Sequence, residues 1–316
     1  MTGSVGVRSG AAARRGAACH TLDMARREDS LPENAPGEWF VDASCIDCDT
    51  CRFVAPSVFA RHGGRGQSVV RAQPHAPEDR LRAAMALVAC PTASIGTSSK
   101  EDVAAGTAAF PEHLGGGVHY CGFASEASYG ASSYLLVREG GNVLIDSPRA
   151  SKPLLKRIRE LGGAKWMFLS HRDDVADHAI WARELGCRRI LHEADVSPGT
   201  AGVEERLTGR DPIEIEPDLK AIPVPGHTRG SVALLVRDAY LFTGDHLAGD
   251  EDAAGELHAW QSVCWYSWPE QIRSVERLLD HRFSWVLPGH GRVLRTESAE
   301  AMRAKLLRLV ERLRRT

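Results

Sequence analysis

The alternation of apolar and polar positions divides most of the chain into short apolar runs and amphipathic stretches. Runs typical of strands lie at 133–137, 142–145, 166–169, 232–236 and 285–287. Apolar residues recur at helical spacing near 151–161, 178–186, 269–280 and 297–314. Strands that alternate with helices predict a layered α/β domain, which we place at 113–316.

The residues ahead of this domain differ in composition. Residues 1–22 contain no Asp or Glu and are rich in Ala, Gly and Arg, and we interpret 1–37 as a disordered tail. This opening is also typical of an organellar transit peptide, and a start at Met24 explains it equally well. A cysteine-bearing unit follows at 38–97, and the composition of 98–112 predicts a linker.

Charge and composition exclude several classes of protein. The 39 basic and 41 acidic residues leave a net charge of -2, so we expect no nucleic-acid partner. No apolar run approaches the roughly 18 to 20 residues of a membrane-spanning helix, so we expect no membrane association. Eight cysteines are too few for a disulfide scaffold in a chain of 316 residues. We therefore predict the cytoplasm, or an organellar matrix or stroma if the opening is a transit peptide.

Three cysteines lie at two-residue intervals in Cys45-Ile-Asp-Cys48-Asp-Thr-Cys51, and a fourth follows far downstream in Cys90-Pro91. A short loop of this kind can wrap three sides of an iron-sulfur cube while a distant cysteine closes the fourth. The pattern resembles a single-cluster bacterial-type ferredoxin, which implies an α+β fold and one 4Fe-4S cluster held by these four cysteines. A zinc knuckle would use the same thiolates and is the alternative.

Four later segments end in residues that can bind metals. These are His171-Arg-Asp173-Asp174-Val-Ala-Asp177-His178, Gly226-His227, Gly244-Asp245 and Gly289-His290. Glycines let the backbone turn sharply at a strand end. Loops at one edge of a sheet can then gather imidazoles and carboxylates around two cations, whose charge lowers the pKa of a shared water. The pattern predicts a dinuclear hydrolytic centre.

From Val118 to the C-terminal helix the chain resembles the metallo-β-lactamase-fold superfamily, with Asp146 matching the aspartate that ends one of the family's strands. The resemblance implies an αββα sandwich. By this resemblance one metal takes His171, Asp173 and His227, the other takes Asp177, His178 and His290, and Asp245 bridges them.

The first motif departs from the family's His-x-His-x-Asp-His. Asp173 occupies the second histidine position, and two extra residues separate His171 from Asp177-His178. Asp174 is an alternative ligand to Asp173. A carboxylate-rich set suits iron or manganese somewhat better than an all-histidine set does, while zinc still tolerates it. The flavodiiron branch of the superfamily is similar at this position, and its centre does redox chemistry.

These observations predict a metal-dependent hydrolase, with two divalent metals and a small-molecule substrate, fused to a 4Fe-4S ferredoxin module. Asp177 would orient the nucleophile or take its proton. The first alternative is an oxidoreductase whose dinuclear iron centre receives electrons from the cluster, with a redox protein as partner. A binding or scaffold role is the second.

Two further features adjoin the predicted centre. His246 follows Asp245 and is the other histidine that could join the site. Trp260, Trp265 and Trp268 are expected to pack in the core, with the lining of a substrate pocket as the alternative.

Overall fold

The computed structural model describes residues 25–251 and 253–315. Most of the predicted tail, residues 1–24, lies outside this part of the chain. The structure corrects the prediction for 25–37, because a 3-10 turn at Arg27–Asp29 leads into the buried side chain of Leu31. The Asn34 side-chain amide then donates to the carbonyls of Leu31 and Val41. These contacts anchor the segment on the cysteine unit.

The cysteine unit is a small α+β fold. Its elements are β1 (Phe40–Val41), α1 (Thr50–Val54), β2 (Phe59–His62), β3 (Gln67–Val70), α2 (Pro77–Ala89) and β4 (Ile95–Gly96). The first and last strands of the unit, β1 and β4, pair antiparallel and so bring its two ends together. Strand β2 pairs antiparallel with β3. Helix α2 begins with a proline and carries Glu78 and Asp79 in its first turn, both favourable at a helix N-terminus, and it ends at Cys90.

The segment predicted as a linker, 98–112, is largely helical. It forms α3 (Lys100–Ala108), whose N-cap Ser99 accepts a hydrogen bond from the Asp102 N–H. A Cβ on Gly106 would lie 2.5 Å from the carbonyl carbon of Ala84, so glycine lets α3 pack closely on α2. The linker prediction is corrected, because its small residues serve close helix packing instead of flexibility.

A seven-stranded sheet follows. Its strands are β5 (Glu112–Gly115), β6 (Val118–Tyr120), β7 (Tyr134–Leu136), β8 (Val143–Ile145), β9 (Trp166–Phe168), β10 (Arg188–His192) and β11 (Glu205–Leu207). The strands lie in sequence order, antiparallel from β5 to β8 and parallel from β8 to β11. Helices α4 (Lys152–Glu160) and α5 (His178–Leu185) connect the parallel strands, as such crossovers require.

The second large sheet has six strands. Along the chain come β12 (Ile213–Glu216), β13 (Leu219–Pro223), β14 (Val232–Val236), β15 (Tyr240–Gly244), the small pair β16 (Ala248–Gly249) and β17 (Leu257–His258), α6 (Trp268–Arg277), β18 (Trp285–Pro288), β19 (Leu294–Arg295) and α7 (Ala299–Leu313). The sheet order is β12-β13-β14-β15-β18-β19, and β15 and β18 run parallel.

Every residue of β14 is buried, because both faces of this sheet are covered. Val232, Leu234 and Val236 pack into the core shared with the first sheet. Ala233 and Leu235 pack instead with α6 and α7 on the opposite face. The domain is therefore the predicted αββα sandwich, and the five strands and four helices predicted for it from periodicity are confirmed.

Within each sheet, parallel strands bring two carboxyl ends to the same edge. These strands are β8 and β9 in the first sheet, and β15 and β18 in the second. Three of the predicted metal-binding motifs follow β9, β15 and β18, and the fourth, with His227, follows β13. Over the described residues, no helix has both the length and the apolar character needed to cross a bilayer.

Candidate metal centre beside the cluster-binding loop

Four strand-end loops deliver the candidate ligands. Asp245 directly follows β15, His290 comes two residues after β18, and His171 comes three residues after β9. His227 lies in the turn between β13 and β14. Gly244 has φ +50, and a Cβ there would lie 2.4 Å from the Ser170 Oγ, so only glycine brings these two loops together.

One carboxylate oxygen lies among three imidazoles. The Oδ2 atom of Asp245 is 3.7 Å from the Nε2 atoms of His171, His227 and His290. The Oδ2 atom of Asp173 is 3.4 Å from the Nε2 of His227 and 3.9 Å from that of His171. Ligand atoms about 2.1 Å from a tetrahedral metal ion are separated by roughly 3.4 Å, so these spacings match donors arranged around cations.

Several donor atoms at this site have no hydrogen-bond partner among the described residues. Buried side-chain atoms without a hydrogen bond include His171 Nε2, His227 Nε2, Asp173 Oδ2, Asp174 Oδ2 and Asp245 Oδ1. Each buried unsatisfied polar atom costs about 1–3 kcal/mol, so a convergent group of five demands a compensating ligand. Burial and the charge of Asp245 also raise the pKa of Asp174 well above its usual range. A divalent cation would satisfy both the unpaired atoms and the crowded carboxylates.

A hydrogen-bonded pair behind the site orients His171. The Ser170 Oγ lies 2.9 Å from His171 Nδ1 and 3.0 Å from the Oδ2 of Asp146, while the Ser170 N–H donates to the Oδ1 of Asp146. With the serine hydroxyl donating to Asp146, its oxygen accepts the Nδ1 proton of His171. That tautomer leaves Nε2 free to bind a metal, which is the usual role of such supporting groups.

The structure does not bring Asp177 and His178 to these residues. The carboxylate of Asp177 accepts the Ala150 N–H at 2.7 Å, and His178 Nδ1 lies 3.2 Å from the Arg189 guanidinium. Helix α5 begins at His178, so the extra loop residues leave both side chains beyond the centre. Their assignment as metal ligands, and that of Asp177 as proton acceptor, is corrected.

Asp174 lies where Asp177 was expected. A Cβ on Gly289 would come within 2.8 Å of the Asp174 Oδ2 and within 2.6 Å of the Asp245 Oδ1, so these carboxylates meet beneath the glycine that precedes His290. Asp173 and Asp174 therefore both adjoin the centre. His246 is fully buried with both ring nitrogens unpaired, and burial and the charge of His227 lower its pKa to about 3.

The four cysteines of the N-terminal unit fit a cluster. Asp47 and Asp49 have φ of 60° and 70°, so the loop turns sharply between successive cysteines. Burial raises the pKa of the Cys48 thiol to about 11, and neighbouring thiolate charges add to this shift. Burial likewise raises the pKa of Cys51 and Cys90. Soft sulfur donors gathered in this way need a metal cluster to hold them deprotonated.

The cluster-binding loop and the metal centre line one cavity of about 690 Å³. Its lining includes Cys48, Asp173, Asp174, His227, Asp245 and His290. Trp260 and Trp265 also line it, and Trp265 is 61% exposed, so these two tryptophans form a pocket wall instead of core. Tyr129 lines the cavity as well and is 55% exposed. Tyr129 was not among the site residues predicted from the sequence.

A second contact between the two regions lies at Cys90. The Arg149 guanidinium donates to the Val88 carbonyl at 3.1 Å, and its Nε is buried without a partner. The Ala124 N–H donates to the Ala89 carbonyl at 3.1 Å. The charge of Arg149 acts on Cys90 and on Asp177. Sequence reasoning missed Arg149, whose only signal is its place three residues after Asp146.

Comparison with known proteins found one family model and several relatives that match this chain. Residues 41–97 match the model of the 4Fe-4S single cluster domain of Ferredoxin I. The chain is 38% identical over 212 residues to the uncharacterized protein YobT of Bacillus subtilis, covering 56% of this chain and 89% of that protein. It is 33% identical over 120 residues to a hydroxyacylglutathione hydrolase of Anaeromyxobacter dehalogenans, covering 36% of this chain and 45% of that one.

Among solved structures, ETHE1 from Myxococcus xanthus matches with a TM-score of 0.43 and 19% identity, over 60% of this chain and 83% of that one. The chain belongs to one family with YobT, and its residues 41–97 match a single-cluster 4Fe-4S domain.

Proposed function

We propose that the protein is a metal-dependent hydrolase with a dinuclear centre. The observation that carries this proposal is the position of the Asp245 Oδ2, 3.7 Å from three imidazole nitrogens. His171, Asp173 and His227 would hold one metal, and Asp174 and His290 the other. Asp245 would bridge them. Zinc suits this set, and its three carboxylates also suit iron or manganese.

When bound, two divalent ions lower the pKa of a shared water and stabilise negative charge developing on the substrate. The chain's own residues position the reactants. Asp174, whose Oδ2 is buried and otherwise unpaired, replaces Asp177 as the group that orients the water and accepts its proton. Ser170 and Asp146 keep the imidazole of His171 in one tautomer.

The substrate would be a small molecule. The cavity volume of about 690 Å³ is in the range of small-molecule sites. Trp265 and Tyr129 would bind apolar parts of the substrate on either side of the centre, because their rings lie 6.2 Å from the His227 ring and 6.3 Å from the His290 ring. The relative named hydroxyacylglutathione hydrolase makes acyl thioesters the first substrates to test.

The second candidate function is an oxidoreductase. The observation that favours it is that Cys48 lines the same cavity as Asp245 and His290. A redox partner protein would reduce the cluster, and the cluster would pass electrons to an iron centre held by the same ligands. The carboxylate at Asp173 is consistent with iron in that centre.

Metal analysis of protein purified without air distinguishes the two functions. Four iron with about two zinc per chain, together with thioester or phosphodiester hydrolysis, supports the hydrolase. Iron well beyond four with little zinc favours the oxidoreductase. Loss of hydrolysis in Asp245→Asn, with the cluster absorption retained, ties the activity to the centre. Four iron without any further tightly bound metal would overturn both.

A further inference from the structure

The two centres are joined by a short, ordered connection. A Cβ on Gly130 would lie 2.9 Å from the Cys48 Sγ, and the Thr50 hydroxyl donates to the Gly130 carbonyl at 3.1 Å. Tyr129, the preceding residue, donates its hydroxyl to the Ile46 carbonyl at 2.5 Å. Its ring stands 6.3 Å from the ring of His290. The turn at 129–130, in the domain at 113–316, thus contacts both the cluster-binding loop and a candidate metal ligand.

Backbone strain marks this turn as a fixed contact. Tyr129 has φ 48, a left-handed conformation that costs a non-glycine residue about 1–3 kcal/mol unless its surroundings enforce it. Gly130 follows with φ 86. The hydrogen bond from the Tyr129 hydroxyl to the cluster loop provides such enforcement.

An ion-pair network makes a second connection. Asp49, between Cys48 and Cys51, pairs with Arg292, which follows His290 by two residues. Arg52 pairs with Asp49 at 2.6 Å, and its side chain is only 7% exposed. Glu251 contacts both arginines. Because Arg52 and Asp49 are largely buried, water screens their charges weakly.

Acidic side chains outnumber basic ones in the lining of the shared cavity. Its lining has two guanidiniums and six carboxylates, namely Arg52, Arg61, Asp47, Asp49, Asp173, Asp174, Asp245 and Glu251. Reducing a 4Fe-4S cluster adds one more negative charge beside them. Divalent ions at the candidate centre would offset these carboxylates and favour that charge.

We propose that the two sites are thermodynamically coupled, so that filling the metal centre raises the reduction potential of the cluster. By linkage, reduction of the cluster tightens metal binding by the same factor. The cluster gains one electron from an external reductant, and no bond is made or broken. The inference rests on the metal site of the proposed function and on neither proposed reaction. It makes the cluster a sensor of metal occupancy, and the metal centre a regulator of the cluster.

Zinc provides a direct test, because it has no redox chemistry of its own. The midpoint potential of the cluster is measured by titration with dithionite and electron paramagnetic resonance, in metal-depleted and zinc-loaded protein. We expect zinc to raise the equilibrium constant for reduction at least about tenfold, which corresponds to about 59 mV for one electron. The zinc Kd, measured by calorimetry, should fall by the same factor when the cluster is reduced.

Two further measurements identify the cause. In Asp245→Asn, which should not retain zinc, added zinc should leave the potential unchanged, while His178→Ala should respond as the unaltered protein does. Mn²⁺ in place of zinc should speed the spin relaxation of the reduced cluster, because a paramagnetic ion would then lie close to it.

The outcomes separate this inference from the proposed function. Zinc binding with an unchanged potential would overturn the coupling alone. Failure of zinc, iron and manganese to bind would overturn the proposed metal centre and the coupling with it.

Discussion

The cluster-binding loop and the metal centre lie side by side but are specified very differently along the chain. Three of the four cluster cysteines lie within Cys45–Cys51, on one turn of backbone whose conformation is set locally. The candidate metal ligands extend from His171 to His290 and come from four loops on two sheets. When the ligands lie in one short motif, the motif alone fixes their relative positions. When they come from several loops, their relative positions depend on the length of each loop.

The first metal motif shows this dependence. Two additional residues before Asp177 were expected to bulge while the motif's two ends kept their places. In the structure, α5 starts at His178, and Asp173 and Asp174 adjoin the centre instead.

Asp245→Ala should have the largest effect, because the carboxylate lies among three imidazoles that no neighbour can bridge in its place. Supporting residues typically contribute 10–100-fold to metal affinity, so removal of the bridge should cost more than about 100-fold. Metal affinity is measured by competition with a chelator. The cluster absorption should be unchanged, and Asp211→Ala, at an exposed acid, is the control. Retention of both metals at the original affinity would refute the bridging role.

Cys48→Ser should remove one soft ligand, so the brown absorption of the cluster should largely disappear or be replaced by the spectrum of a three-iron species. The domain at 113–316 should stay folded and still bind zinc. The core that packs between β14 and helices α6 and α7 contains no residue of the cysteine unit. Circular dichroism and zinc calorimetry check this. An intact cluster in anaerobic protein would contradict the ligand assignment.

Asp174→Ala and Asp177→Ala form a matched pair that sharpens the comparison. Asp174→Ala should cost one of the two metals, with affinity at that position reduced about 10–100-fold. Asp177→Ala should keep both metals and lose about 1–3 kcal/mol of unfolding free energy, because the Ala150 N–H loses its acceptor. Metal counting and denaturant titration separate the effects. The reverse pattern would restore Asp177 as a ligand.

Arg149→Gln should have the smallest effect, and it changes the surroundings of the cluster near Cys90 instead of near Cys48. Removing a buried positive charge near Cys90 disfavours the more negative, reduced cluster, so the potential should fall. We expect the equilibrium constant for reduction to drop by less than about tenfold. Arg149→Lys should recover most of it. Arg159→Gln, on the exposed face of α4, is the control and should leave the potential unchanged.

Features that depend on local interactions were predicted correctly from the sequence, whereas features that depend on contacts between distant residues were not. The strands and helices of the sandwich were predicted from periodicity, since each reflects a local alternation between buried and exposed faces. His171, Asp173, His227, Asp245 and His290 were predicted from motifs at strand ends, and the structure gathers them at one site. Whether they bind metal remains a prediction. The linker at 98–112 was predicted from composition and proved helical, because the packing of Gly106 against Ala84 is a long-range contact.

The strands and helices and the types of side chain at each strand end could be predicted from the sequence, because periodicity and short motifs express local geometry. The αββα sandwich and the ferredoxin domain were implied by its resemblance to known families. Only the tertiary structure decided that Asp174 adjoins the centre while Asp177 does not, since that depends on where α5 begins. The tertiary structure also placed Cys48 and His290 on one cavity. No local sequence pattern predicts that these two residues share a cavity, because they are distant in the chain and are brought together only by the packing of the two domains.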